Sequence, residues 1–368
     1  MKAELSWRIW RGAEDDGRIP SPGNRRPDFR LGKVPMTRYC IVGMLLLAAC
    51  TVQRTPRPGP SPDDHLAHMR AADVAAPATG DALRQGTPGL PPSNLSAPAR
   101  LAASPRHGEW VKLALEPGSA DSIMAWVVYP AARGKAPVVV VVHEIFGLST
   151  WVRGVADQVA AEGFIAIAPD FLSRVRGGPS SVELPGDSAR KLIGGVNSTE
   201  RNRIIVAAAN WAMTQPSATQ KYAVIGYCWG GQTTFMHTIH GGVTGFSGGV
   251  AYYGLPYMSG GTPATATAPA VPATLVADSI AKIKMPIMLL NGSKDARIAA
   301  AMPALDSMMK AMGKTYTGVN YEGAVHGFLR AQDDPKPQRD EAEEQANLAA
   351  AKDAWPRTVK FLKERLGM

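Results

Sequence analysis

The sequence predicts an α/β fold, a mostly parallel central sheet flanked by helices, in a single domain over residues 107–368. Three observations predict it. From Glu109 onward, short apolar runs alternate with helix-like segments, the order that gives a parallel sheet covered on both faces. Residues 138–142 are five consecutive valines, the composition of a strand buried on both sides. Gly226-Tyr227-Cys228-Trp229-Gly230-Gly231 stands between an apolar run and a helix-like segment, a strand–turn–helix junction with a cysteine at its apex.

In chain order, residues 110–115 and 123–129 predict an antiparallel pair joined through Glu116-Pro117-Gly118. Residues 138–142, 165–168, 222–225, 250–253, 287–290 and 316–321 predict the remaining strands. Amphipathic spacing predicts helices over 152–162, 199–213, 299–312 and 345–366, with a further helical segment over 232–240. Residues 259–270, rich in Gly, Pro, Ala and Thr, predict a flexible insertion. In open parallel sheets, ligands collect beyond the carboxyl ends of the strands.

The N-terminal third predicts an address and a tether. Residues 40–49 are apolar and uncharged, with Arg38 just before them. The run is shorter than the roughly 20 residues a spanning helix needs, and it has the form of a signal-peptide core. It closes on Leu47-Ala48-Ala49-Cys50, which resembles the bacterial lipobox. That resemblance implies lipidation at Cys50, export to the bacterial periplasm, and a membrane partnership through the N-terminal lipid. A plain secretory signal with a chance cysteine at its boundary is the alternative. Met36 stands where an initiator is expected, so residues 1–35 read as an upstream extension and 36–50 as the signal. Residues 51–106 are rich in Pro, Ala, Ser, Gly and Arg. They offer too little apolar surface to offset chain entropy and predict a disordered tether.

Composition narrows the function. The net charge is +9, but no Lys/Arg block is interleaved with aromatics, so no nucleic-acid partner is expected. The three cysteines, Cys40, Cys50 and Cys228, make neither a disulfide framework nor a metal-ligand spacing. No metal or other cofactor is expected, since the chain has no phosphate loop or dinucleotide fingerprint. A monomer is expected.

The glycine–cysteine junction has the pattern of the nucleophile elbow of the α/β-hydrolase fold, with Cys in place of the usual Ser. A nucleophile on a strained turn needs glycine two residues before and after it, so that strand and helix can approach closely. A buried structural cysteine in an ordinary turn is the bland alternative. Asp295 follows the strand at 287–290, and His326 follows the strand at 316–321. Nucleophile, acid and histidine then occur in the chain order of that fold's triad. Singly, Asp295 could be a turn residue and His326 a loop cap. Together, at three strand ends, they predict one site.

Each member has a chemical task. An ordinary thiol titrates near 8.5, so little thiolate exists at neutral pH. His326 is placed to take the Cys228 proton, and Asp295 to hold the imidazole tautomer. The oxyanion needs two donors, for which the backbone N–H groups of Trp229 and Ile145 are the candidates.

His143-Glu144-Ile145-Phe146-Gly147-Leu148, the cysteine elbow, Gly292-Ser293-Lys294-Asp295 and His326-Gly327-Phe328 resemble the four signature segments of the dienelactone hydrolase family, over roughly residues 110–366. The resemblance implies a thiol-dependent hydrolase of a small-molecule ester or lactone, with Cys228, Asp295 and His326 as triad. It implies that Glu144 contacts the nucleophile and helps to deprotonate it; a salt-bridged carboxylate is the other reading. It also implies that Arg330 binds a substrate carboxylate and that Tyr227 contacts substrate, a solvated Arg330 being the alternative. A second substrate-binding arginine is implied but stays open among Arg174, Arg176, Arg190, Arg201 and Arg203. Two other functions remain open: an acyltransferase using the same triad, and a non-catalytic envelope lipoprotein.

Overall fold

The structure, a computed structural model, describes residues 85–131, 134–180, 186–259, 273–337 and 339–368. The expectations at Met36, the apolar run 40–49 and Cys50 lie outside the described residues, as does all but Ser259 of the insertion at 259–270. Contacts divide the chain into Met1–Pro56 and Arg57–Met368; every described residue belongs to the second unit.

Eight strands form one mixed sheet: β1 (Gly108–Ala114), β2 (Ser122–Val128), β3 (Ala136–Val142), β4 (Ile165–Pro169), β5 (Ala218–Tyr227), β6 (Phe246–Tyr252), β9 (Ile287–Gly292) and β10 (Tyr316–Tyr321). Their order is β1-β2-β4-β3-β5-β6-β9-β10. Strands β4, β3, β5, β6, β9 and β10 run parallel. Strand β2 is antiparallel to both neighbours, β1 and β4. A separate pair of two-residue strands, β7 (Met258–Ser259) and β8 (Thr274–Leu275), flanks the residues at 260–272.

The valine run shows why the sheet needs two covers. Every residue of β3 is buried. Because side chains alternate across a strand, Val139 and Val141 face one core and Val138, Val140 and Val142 the other. The first core is closed by α2 (Thr150–Ala161) and by α10 (Glu341–Leu366), through Val152, Val155, Trp355 and Leu362. The second is closed by α5 (Ser198–Met213), through Ile204, Ile205 and Ala208. Ser149, Asn197 and Asp340 cap these three helices, each accepting a backbone N–H in the first turn, the arrangement that satisfies otherwise orphaned donors.

Residues 85–106 differ from the tether that composition predicts. They carry the helix α1 (Ala97–Ala102) and pack on the domain. Leu90 and Ala97 are buried in the first core. The Trp151 indole donates to the Pro92 carbonyl at 2.8 Å, Asn94 N–H to the Arg330 carbonyl at 2.9 Å, and Gln332 Nε2 to the Pro91 carbonyl at 3.1 Å. A few well-placed apolar residues and backbone carbonyls order a stretch whose average composition is that of a linker. The folded unit therefore begins no later than about residue 85 rather than at 107.

Candidate active site

Cys228 sits between β5 and α6 (Trp229–His240), with φ 58° and ψ −115°. A left-handed φ at a non-glycine residue is a strained conformation that the surroundings must hold. Here the Cys228 N–H donates to the Tyr252 carbonyl at 3.0 Å. The flanking glycines are required by close approach. A Cβ on Gly226 would lie 2.1 Å from the Gly230 carbonyl oxygen, and one on Gly230 would lie 2.3 Å from that of Val142. The cysteine itself is free and half-buried.

Asp295 caps α8 (Ala296–Ala311), accepting the Ile298 N–H on Oδ1 at 3.3 Å. Its other oxygen, Oδ2, accepts the His326 Nδ1 proton at 2.6 Å. One carboxylate thus both starts a helix and fixes the imidazole. The loops bearing the two residues are laced together: Ser293 N–H reaches the Tyr321 carbonyl at 2.8 Å, Lys294 N–H the Ala324 carbonyl at 3.0 Å, and Gly323 N–H the Ser293 hydroxyl at 2.9 Å. The Cys228 side chain is close enough to act on the imidazole. Burial alone would pull the imidazole down. The charges and hydrogen bonds of Cys228 and Asp295 outweigh it and raise His326 to about 10.

Glu144 and Arg330 form a buried ion pair, Nε to Oε2 at 3.2 Å. The guanidinium also lies over the Phe146 ring, 5.3 Å from its centre. Arg330 is therefore not the solvated loop residue of the bland reading, and Glu144 is paired with it. His143 fixes the loop that carries Glu144. Its Nδ1–H donates to the Glu144 carbonyl at 2.6 Å, and its Nε2 accepts the Phe171 N–H at 3.1 Å. Burial lowers its pKa, consistent with a neutral ring in one tautomer. The ring stacks on Trp229, centroids 5.9 Å apart.

Trp229 opens α6, where N–H groups have no acceptor within the helix. Ile145 and Cys228 both pack against Phe146 and Ala189. Ala189 belongs to α4 (Gly186–Gly194), a helix absent from the sequence expectation. Tyr227, expected to contact substrate, is placed elsewhere. It is wholly buried, 5.0 Å from Trp151 and 4.9 Å from Tyr252 between ring centres. Successive residues of β5 point to opposite faces, and Tyr227 takes the core side.

The structure separates the arginines that the sequence leaves open. Arg174 and Arg203 pair with Asp121 and Glu200, and Arg190 lies 3.7 Å from Asp187. Arg176 lies in α3 (Ser173–Arg176). Arg201 contacts the elbow residue Trp229. Its guanidinium is 4.3 Å from the Trp229 ring centre, and it donates to Gln232 Oε1 at 3.1 Å and the Val196 carbonyl at 2.9 Å. It makes no ion pair among the described residues, and burial lowers it to about 10.

Sequence reasoning missed one residue of this region. Tyr253 follows β6 with φ 38°, and its ring centre is 4.7 Å from that of His326. Phe328, after His326, packs against Tyr253 at 5.7 Å. An aromatic at a strand end has no sequence signal separating it from ordinary core.

Known proteins resemble this assembly. The profile described as the dienelactone hydrolase family matches residues 123–366. A Salmonella typhimurium protein named "Putative carboxymethylenebutenolidase" is 28% identical over 250 residues, covering 67% of this chain and 84% of that protein. A Bradyrhizobium protein named "Probable 2-oxo-3-(5-oxofuran-2-ylidene)propanoate lactonase" is 26% identical over 264 residues, covering 70% and 94%. Among solved structures, a "Putative Dienelactone Hydrolase" from Klebsiella pneumoniae superposes with TM-score 0.54 at 25% identity, covering 70% of this chain and 99% of that one.

Proposed function

This chain belongs to the dienelactone hydrolase family, and on that premise we propose that it cleaves a carboxylic ester or lactone through Cys228, His326 and Asp295. The observation that carries the reading is the Asp295–His326 hydrogen bond beside a cysteine held at a strained turn.

His326 takes the thiol proton while Asp295 holds Nδ1–H and stabilises the imidazolium. The thiolate attacks the carbonyl carbon, an S–C bond forms, and the carbonyl electrons move to oxygen. The Trp229 and Ile145 N–H groups stabilise that oxyanion. Its collapse breaks the C–O bond, and His326 returns the proton to the departing oxygen. In a lactone that oxygen stays on the same molecule and the ring opens. Water then attacks the thioester, gives a proton to His326, and the thiol is restored as the acid leaves.

Carboxymethylenebutenolidase-like chemistry, on a lactone that carries a carboxylate, is supported by the names of the relatives and by two cations near the thiol. A substrate carboxylate at Arg330 would compete with Glu144 for the guanidinium. Arg201, without an acidic partner among the described residues, offers a second charge beside Trp229. Cys228→Ala assayed on a panel of esters and lactones tests the reading: turnover near background supports it, and wild-type turnover refutes it.

A further inference from the structure

Tyr253 is strained and its hydroxyl is unsatisfied, and both features occur beside the reactive sulfur. Its φ of 38° is a left-handed conformation, which for a bulky residue persists only where the surroundings impose it. Its backbone N–H is held by the Leu290 carbonyl at 2.8 Å. The side chain has no exposed surface, and the buried hydroxyl has no hydrogen-bond partner among the described residues. Burying an unpaired hydroxyl is unfavourable, and such groups in native proteins call for an explanation.

The surroundings of the hydroxyl supply one. The charged and titratable groups around it are Glu144 from the loop after β3, Cys228 and Tyr227 from the elbow, and Arg330 from α9 (Phe328–Ala331). His326, backed by Asp295, lies tilted against the ring, 4.7 Å away between centres. Burial, reinforced by Glu144, pushes the phenol well above its ordinary pKa, so it remains a donor. Glu144 is engaged by Arg330. A thiol is a weak acceptor. A thiolate is a far stronger one.

We propose that the Tyr253 hydroxyl donates a hydrogen bond to the Cys228 thiolate as soon as His326 has taken the thiol proton. The proton moves from sulfur to imidazole, Tyr253 keeps its own, and the orphaned donor gains an acceptor only in the charged state. Tyr253 is then a catalytic residue acting on the ionised nucleophile. The inference rests on Cys228 being that nucleophile.

Tyr253→Phe in the full chain tests it. Three quantities are measured: the pH dependence of iodoacetamide alkylation at the Cys228 peptide, kcat and KM on an ester, and the thermal midpoint. The alkylation midpoint is expected to rise by about one pH unit and kcat at neutral pH to fall about tenfold, the equivalent of losing one such bond. KM should stay within about twofold. The thermal midpoint should hold or rise, because an unsatisfied buried hydroxyl has been removed. An alkylation profile that superimposes on wild type overturns the proposal, whether or not stability changes. Tyr227→Phe removes the neighbouring buried phenol and should leave the midpoint in place; a shift there instead assigns the role to Tyr227 and overturns this one. Cys228→Ala run alongside separates the two claims. Its inactivity preserves the nucleophile even if Tyr253→Phe behaves as wild type, whereas full activity removes both.

Discussion

Glu144 and Arg330 are 186 positions apart in the chain, yet they close an ion pair at 3.2 Å with almost no solvent exposure on either side chain. Removing one partner of a buried pair strands the other charge, at a cost of about 3–5 kcal/mol. Arg330→Ala and Glu144→Ala should each lose about that much stability in urea titrations, with the double variant losing far less than their sum. Arg330→Ala should also slow acidic esters more than neutral ones, because acidic substrates lose a carboxylate contact in addition to the support of the site. Wild-type stability in either single variant would show that the pair is not formed.

His237, in α6 behind the nucleophile, gives an acid limit. Its Nδ1–H donates to Asn202 Oδ1 at 2.8 Å and its Nε2 accepts the Tyr222 hydroxyl at 2.9 Å, which requires a neutral ring. Burial, with His240 adding, lowers its pKa to about 3. Between about 6.5 and about 3 the unfolded chain holds a proton that the folded chain does not. Stability is thus complete above that window and falls as pH drops through it, by up to about 1.4 kcal/mol per unit. His237→Gln should lower stability at pH 7 and flatten this slope. An unchanged acid slope would place the lability elsewhere.

The segment at 85–103 should behave as part of the domain. A chain starting at Ser104 loses the buried Leu90, about 1.5–3 kcal/mol, and strands the Trp151 indole N–H, about 1–3 kcal/mol. Compared with a chain starting at Gln85, its denaturation midpoint should fall accordingly. Equal midpoints would mean that the packing contributes nothing in solution.

Cys50, known only from sequence, should anchor the protein. Cys50→Ser is expected to move it out of the membrane fraction, and mass spectrometry of the native N-terminal peptide should find lipid on Cys50. Unchanged fractionation with no lipid would remove the anchor.

The parts legible in the sequence were those with local causes. Residues 138–142 announced a two-sided strand by composition, and the structure extends it only to Ala136. The run at 222–225 belongs to a strand from Ala218 to Tyr227, which starts earlier because Ala218 pairs with Ala136 ahead of a register shift. Cys228, Asp295 and His326 could be singled out because each lies within a few residues after a strand. What was hidden depends on tertiary contact. Arg201 was indistinguishable from its neighbours until Trp229 lay beneath it. Residues 85–106 looked like a linker because Leu90, Pro92 and Ala97 are sparse, although each has a fixed partner. Tyr253 reads as one more apolar strand residue, and its left-handed φ is a property of the folded backbone.

The most direct measurement of the central claim is rapid-quench mass spectrometry of the Cys228 peptide during turnover of nitrophenyl acetate. The account predicts an acetyl group on Cys228 that forms and decays at rates sufficient for kcat, and that is absent in Cys228→Ala. Steady turnover with Cys228 unmodified, or with the acetyl group on another residue, would contradict it.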